Sequence, residues 1–285
     1  MEEKALRLSA VFLMILTAVS FVLLPKLPAL HTWEVEAREE RIAEEEFAQS
    51  QVTMQNLKIK EQNEAAGAKG ELSIRLPEGV TGDQIAVSND YVTQTIRVEI
   101  PQADRTYFDS YPVLGKSDYI DGLSYTRQGE MGVIEVTTNK VYELQTEYDA
   151  QNFYFNFLTP HEVYDKVVVI DAGHGGRAVG ANKQGINEKD IDLAIVLKLK
   201  EIFDNSDQNI GVYYTRTDDS NPTFDQRVQL ANKSDADLFI SIHNNSTRSG
   251  RMSGTSGTQV MYDETSEASR QFAQICLEEV TGRIG

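Results

Sequence analysis

The spacing of apolar and polar positions changes several times along the chain, and each change marks a different kind of element. From Leu8 to Leu24 the run LSAVFLMILTAVSFVLL carries no charge; it is apolar on every side of a helix and near the shortest length that crosses a bilayer. Lys4 and Arg7 precede it, which favours a cytoplasmic N-terminus and an exported remainder. No A-x-A site follows Leu24, so residues 1–32 are read as an uncleaved membrane anchor helix, with a cleaved signal as the alternative. Residues 33–70 turn glutamate-dense, as in EVEAREERIAEEEFAQSQ, the composition of an acidic helical linker or a flexible spacer.

Between residues 71 and 160 the period becomes two. Ile96, Val98 and Ile100 alternate in QTIRVEI, Ile134 and Val136 in VIEV, and Phe153, Phe155 and Phe157 in NFYFNFL. Turn signals such as PEGVTGD and TRQGEMG separate them, which predicts a small all-β sandwich. From residue 161 to 285 strands alternate with helices. KVVVI reads as a strand buried on both faces. NEKDIDLAIVLKLKEIF places Ile191, Ile195, Leu199 and Ile202 on one helical face, IGVYYT is a second strand, and a capping box at Thr223 opens a helix through Val228, Leu230 and Ala231. ADLFISI and GTQVMY predict two further strands, and SEASRQFAQICLEEV a last helix. This order is an α/β domain with a mixed, mostly parallel sheet, whose functional groups gather at the carboxyl ends of the strands.

Charge narrows the range of partners. Lys plus Arg is 27 against 44 for Asp plus Glu, a net charge of −17, which repels phosphate backbones and argues against nucleic acid. Cys276 is the single cysteine, so no internal disulfide and no multi-cysteine metal cluster is available. A metal would need histidine and carboxylate ligands.

VVVIDAGHGG runs a strand into a glycine-rich loop that lacks the Lys and Ser/Thr of a phosphate-binding loop. Its His174, the His243 that closes DLFISIH, and Glu188 at a helix start are candidate metal ligands, two imidazoles and one carboxylate suited to a catalytic zinc with an open position. Singly, each also reads as a loop histidine, a core histidine or a first-turn acid. Asp171 is a candidate partner that fixes an imidazole tautomer. Arg216 with Asp218 reads as an ion pair supporting the strand end or as a substrate contact. Asn245 holds a turn or orients substrate, and NSTRSGRMSGTSG is a flap over the site or a passive loop.

In the order DAGHGG, a Glu before an aliphatic helix, YYTRTDD, RVQLAN and SIHNN, the C-terminal region resembles the zinc-dependent N-acetylmuramoyl-L-alanine amidases of the amidase 3 family. The resemblance implies Zn2+ held by His174, Glu188 and His243, and hydrolysis of the amide between the lactyl group of N-acetylmuramic acid and L-alanine in peptidoglycan. It also implies a catalytic glutamate late in the domain, a position beyond Gly285, so the sequence reads as a C-terminally truncated catalytic domain of reduced or absent activity. The β region resembles the AMIN domain, which targets wall enzymes to the envelope. Together these imply an extracytoplasmic protein anchored to the cell membrane, or secreted after signal cleavage, that acts on peptidoglycan in cell separation or wall remodelling with an envelope or divisome activator. A non-catalytic anchored binding protein is the alternative. A zinc carboxypeptidase is weaker, because no H-x-x-E spacing surrounds His174.

Overall fold

A computed structural model of the chain describes residues 37–46, 55–61, 69–244 and 257–284. The apolar run from Leu8 to Leu24 and Asn245 lie outside them. Among the described residues no helix is long and apolar enough to cross a membrane.

The period-two region folds as two five-stranded sheets around one core. One sheet has the order β1–β7–β8–β5–β4, from Gln55–Asn56 (β1), Ala86–Asp90 (β4), Thr95–Pro101 (β5), Ile120–Gln128 (β7) and Met131–Thr138 (β8). The other has the order β2–β6–β3–β10–β9, from Lys60–Glu61 (β2), Leu72–Arg75 (β3), Leu114–Gly115 (β6), Glu143–Tyr148 (β9) and Asn152–Leu158 (β10). The alternation does what it predicts: Ile96, Val98 and Ile100 from one sheet meet Phe153, Phe155 and Phe157 from the other in a common cluster, while the intervening residues stay half-exposed. The boundary at residue 70 needs correction. β1 and β2 fall in the expected linker, pair with β7 and β6, and bury Leu57 in the sandwich core.

The α/β region is built on three parallel strands in the order β14–β11–β15, namely Lys166–Ala172 (β11), Ile210–Tyr214 (β14) and Leu238–Ile242 (β15). The apolar run of β11 is explained by its central place. Val168 and Ile170 enter one cluster with Ile195, Val196 and Leu199, whereas Val167 and Val169 enter another with Leu230, Tyr213 and Val141. The residues of the first cluster outside the sheet come from helix Glu188–Asp204, those of the second from helix Phe224–Lys233 and from the sandwich. The second cluster thus joins the two regions, and Glu143 of β9 accepts hydrogen bonds from the hydroxyls of Tyr91 (3.0 Å) and Tyr213 (2.6 Å).

Three local expectations differ from the structure. GTQVMY forms no strand, and Met261 is 83% exposed, so its side chain finds no core to hold it against a sheet. In the helix Phe224–Lys233 the capping box at Thr223 is present, but Val228 is exposed and Arg227 takes the buried position beside Leu230. In the helix Glu188–Asp204 the buried stripe runs through Glu188, Asp192, Ile195, Val196 and Leu199, leaving Ile191 partly exposed. Its first two members are acids, and that displacement carries the chemistry described next.

Candidate metal centre

Parallel pairing brings the two histidines together. Ala172 of β11 is in register with Ile242 of β15, and Gly173 N–H donates to the Ile242 carbonyl at 3.0 Å, so the ladder runs one step past the strand ends. His174 and His243 follow immediately, with their rings edge to face and centroids 4.8 Å apart. A side chain at position 173 would collide with the His243 ring, 2.3–2.6 Å from an ideal Cβ, which is why the residue before His174 is glycine. His174 itself takes the left-handed region, φ 58, a strained conformation for a residue with a side chain and one that accumulates at functional sites.

The hairpin of Asn182–Lys183 (β12) and Ile186–Asn187 (β13) returns the chain over this edge and delivers Glu188 as the first residue of its helix. Its Oε1 lies 3.2 Å from His174 Nε2 and 3.2 Å from His243 Nδ1. Backbone N–H groups of Asn244 and Ala181 donate to its two oxygens, both at 2.8 Å. One turn on, Asp192 adds a second carboxylate. One donor atom from each of His174, Glu188, Asp192 and His243 lies within 4.8 Å of the others.

The charges in this cluster depend on one another. Burial alone would raise Glu188, but hydrogen bonds from His174 and His243, the His174 charge and the Ala181 N–H hold it well below the usual carboxylate range. Burial pulls His174 down; hydrogen bonds to Glu188 and to Glu39, with their charges, outweigh that and push it up to about 9. Burial and the neighbouring Glu188 push Asp192 up to about 7, against the His243 charge and a hydrogen bond from Asn244. Asn244 Nδ2 donates to Asp192 Oδ1 at 2.7 Å, while Asp192 Oδ2 is buried without a hydrogen-bond partner. Leaving a buried acceptor unsatisfied is costly, and a divalent cation among the four donors would satisfy it. Two imidazoles with carboxylate oxygens are a donor set that suits zinc.

Of the residues singled out from the sequence, His174, Glu188 and His243 converge. Asp171 does not join them: it is buried beneath the loop, accepts from Thr215 Oγ1 and Ser241 Oγ, both at 2.6 Å, and pairs with the Arg227 guanidinium. It therefore fixes no imidazole; strand neighbours and an arginine claim both its oxygens. Arg216 bonds the Asp218 backbone carbonyl, not its carboxylate, and also donates to the carbonyls of Ala172, Gly173 and Lys189. Arg227 donates to the carbonyls of Ala172 and His174. The two arginines clamp the backbone that carries His174. Asp192 and Asn244 were not anticipated, although the four-residue step from Glu188 to Asp192 puts both acids on one helical face.

Residues 168–285 match the amidase 3 family, described as N-acetylmuramoyl-L-alanine amidase. The chain is 45% identical over 86 residues to the endolysin of Bacillus phage SPP1, covering 30% of this chain and 31% of that protein. It is 34% identical over 113 residues to an N-acetylmuramoyl-L-alanine amidase of Bacillus licheniformis, covering 40% and 43% respectively. A solved structure of the catalytic domain of an N-acetylmuramoyl-L-alanine amidase from Bacillus (Paenibacillus) polymyxa is 41% identical, covers 29% of this chain and 47% of that one, and has a TM-score of 0.28. The chain thus spans less than half the length of each of these relatives.

Proposed function

We propose that residues 168–285 form the metal-binding part of a peptidoglycan amidase that cleaves the bond between N-acetylmuramic acid and L-alanine. The observation that carries this reading is the convergence of His174, Glu188, Asp192 and His243 at the carboxyl edge of a parallel sheet, within the segment that matches the amidase family. Zinc bound there would polarise the amide carbonyl and bring the pKa of its water to about 7, removing the need for a serine or cysteine nucleophile.

The chain's own side chains prepare that position. Glu188 is held by two backbone N–H groups, so its oxygens are aimed before a ligand arrives. His174 Nε2 faces Glu188 and His243, and the backbone behind it is fixed by the Arg216 and Arg227 clamps. Asp192 stands one turn on with its Oδ1 held by Asn244 Nδ2, which leaves Oδ2 turned to the cluster as a further donor. His243 is 46% exposed on its side-chain surface, which leaves the cluster open on the side where a glycan strand would approach.

In the same reading the β sandwich is an AMIN-like module that holds the domain at the wall. The N-terminal apolar segment anchors the protein outside the cytoplasm, an envelope activator acts on it, and its task is cell separation or wall remodelling. Digestion of purified peptidoglycan tests the reaction. New L-alanine amino termini support it; release of a C-terminal amino acid from the stem would indicate a carboxypeptidase, and retention of intact wall would indicate a binding protein.

A further inference from the structure

The segment that reads as an acidic linker packs on the loops around His174. Residues 37–46 form a helix whose inward face carries Glu39, Glu40, Ala43 and Glu46, and Ala43 is 2% exposed. The spacing 39, 43, 46 is one side of a helix, so a segment that reads as a solvated run has a docking face. Each acid on it meets a specific donor on the loops around His174. Glu40 accepts from the Phe224 N–H at 2.6 Å, at the start of the helix capped by Thr223. Glu46 accepts from the N–H and Nε of Arg177 (3.1 and 3.0 Å) and from Asn221 Nδ2 (3.2 Å). The Glu46 carboxylate also occupies the space that a side chain at Gly176 would fill, 2.6 Å from an ideal Cβ, so the loop has a seat for it.

Glu39 is the member that reaches the cluster. Its Oε2 lies 3.0 Å from His174 Nδ1, with both side chains largely buried. The other ring nitrogen, Nε2, faces Glu188 and His243 at 3.2 Å. A carboxylate on one imidazole nitrogen keeps the proton there and leaves the other nitrogen's lone pair free for a metal, and such a partner also fixes the ring's orientation. We propose that Glu39 is a positioning residue of the metal centre, supplied by the linker from outside the segment that matches the amidase family. It takes the role that Asp171, committed to Arg227, does not fill. It follows that metal affinity depends on the linker helix staying docked.

This inference rests on the metal reading above, and the experiment separates the two. Zinc-binding isotherms are measured for the full chain and for its Glu39→Ala and Glu39→Gln variants, by competition with a chromophoric chelator. Removal of an outer partner of a metal-bound histidine typically weakens binding by about 10–100-fold, and that loss is expected for Glu39→Ala. Glu39→Gln, whose amide oxygen still accepts from Nδ1–H, is expected to recover most of it. The Nδ1–H proton resonance of His174 in the zinc-loaded chain is expected to be protected from exchange in the wild type and in Glu39→Gln, and lost to exchange in Glu39→Ala. A general loosening of the fold would not distinguish the two variants in this way. Wild-type zinc binding with an unchanged Glu39→Ala isotherm overturns the role of Glu39 alone. Absence of zinc binding by the wild type overturns the metal reading and this inference with it.

Discussion

The two folded regions bury different things. In the sandwich the buried polar residues are Ser73, Gln94 and Thr138, all uncharged, and the interior is aliphatic and aromatic. Around the three-stranded parallel sheet the buried polar residues include Asp171, Glu188, Asp192, Arg216 and Arg227. Every buried charge among the described residues therefore belongs to the smaller sheet. A buried charge costs stability unless it is paired and hydrogen-bonded, so a region that keeps five has a use for them. Two arginines and Asp171 lock the loop, and two acids face the histidines. Among the described residues the sandwich has the larger apolar cluster and no such constellation, which suits the holding role proposed for it.

Breaking the buried network should have the largest effect on stability. Arg227→Ala leaves Asp171 without its cation and the His174 carbonyl without its arginine donor, while the Ala172 carbonyl keeps only Arg216. Loss of one partner of a buried pair typically costs about 3–5 kcal/mol. Chemical denaturation should show that loss in the α/β region, with the sandwich transition unmoved. Phe155→Ala, at a fully buried position of the sandwich, should cost a similar amount, about 3–5 kcal/mol, but leave zinc uptake by the remaining folded chain intact. If Phe155→Ala abolished zinc binding while the α/β region stayed folded, the division of labour between the two regions would be wrong.

An intermediate effect is expected from pH on the metal-free chain. His174 is pushed up to about 9, above the roughly 6.5 of a free imidazole. The folded state holds that proton more tightly, and the resulting stability is complete below about pH 6.5 and lost as pH rises through about 9. Asp192, pushed up to about 7, acts with the same sign at lower pH: its contribution is complete below the usual carboxylate range and lost as pH rises through about 7. Glu188, held low, contributes above its ordinary range and loses that contribution in acid. The melting temperature of the metal-free α/β region should therefore fall from about pH 6.5 to 9. Because zinc displaces the proton on His174, the rise in melting temperature on adding zinc should grow across the same window. A zinc effect independent of pH would contradict the placement of His174 in the cluster.

The smallest effect belongs to the sandwich surface. Arg97 pairs with Glu99 and Glu135 at partly exposed positions, and such pairs are worth about 0–1 kcal/mol. Arg97→Ala should fall in that range and leave zinc affinity unchanged.

What the sequence discloses follows the range over which each interaction acts. The continuous run of β11, the alternation of β5 and β10 and the capping box at Thr223 are local patterns, and all appear where they are read. His174, Glu188 and His243 were legible because strand ends and a helix start in an α/β order fall on one edge. Asp192 was hidden inside an aliphatic stripe although its spacing from Glu188 marks it. Strands β1 and β2 are not legible in the sequence because QNLKIKE offers only Leu57 and Ile59 as a period-two signal beside a glutamate-dense run. Asp171 reads as an imidazole partner because it stands near one in sequence, whereas its partners Thr215, Arg227 and Ser241 come from distant segments that nothing local announces. Glu39 lies 135 residues from His174, and a tertiary contact of that separation has no signature beyond the face shared by Glu39, Ala43 and Glu46.

The central claim is that His174, Glu188 and His243 hold one zinc. Its most direct test is the metal content and zinc-binding isotherm of the full chain beside His174→Ala, Glu188→Gln and His243→Ala, each checked for an unchanged circular dichroism spectrum. The account predicts one zinc per wild-type chain and, for each variant, a loss beyond the roughly 10–100-fold expected from an outer partner. A folded wild type that takes up no zinc, or variants that bind it as tightly as the wild type, would contradict it.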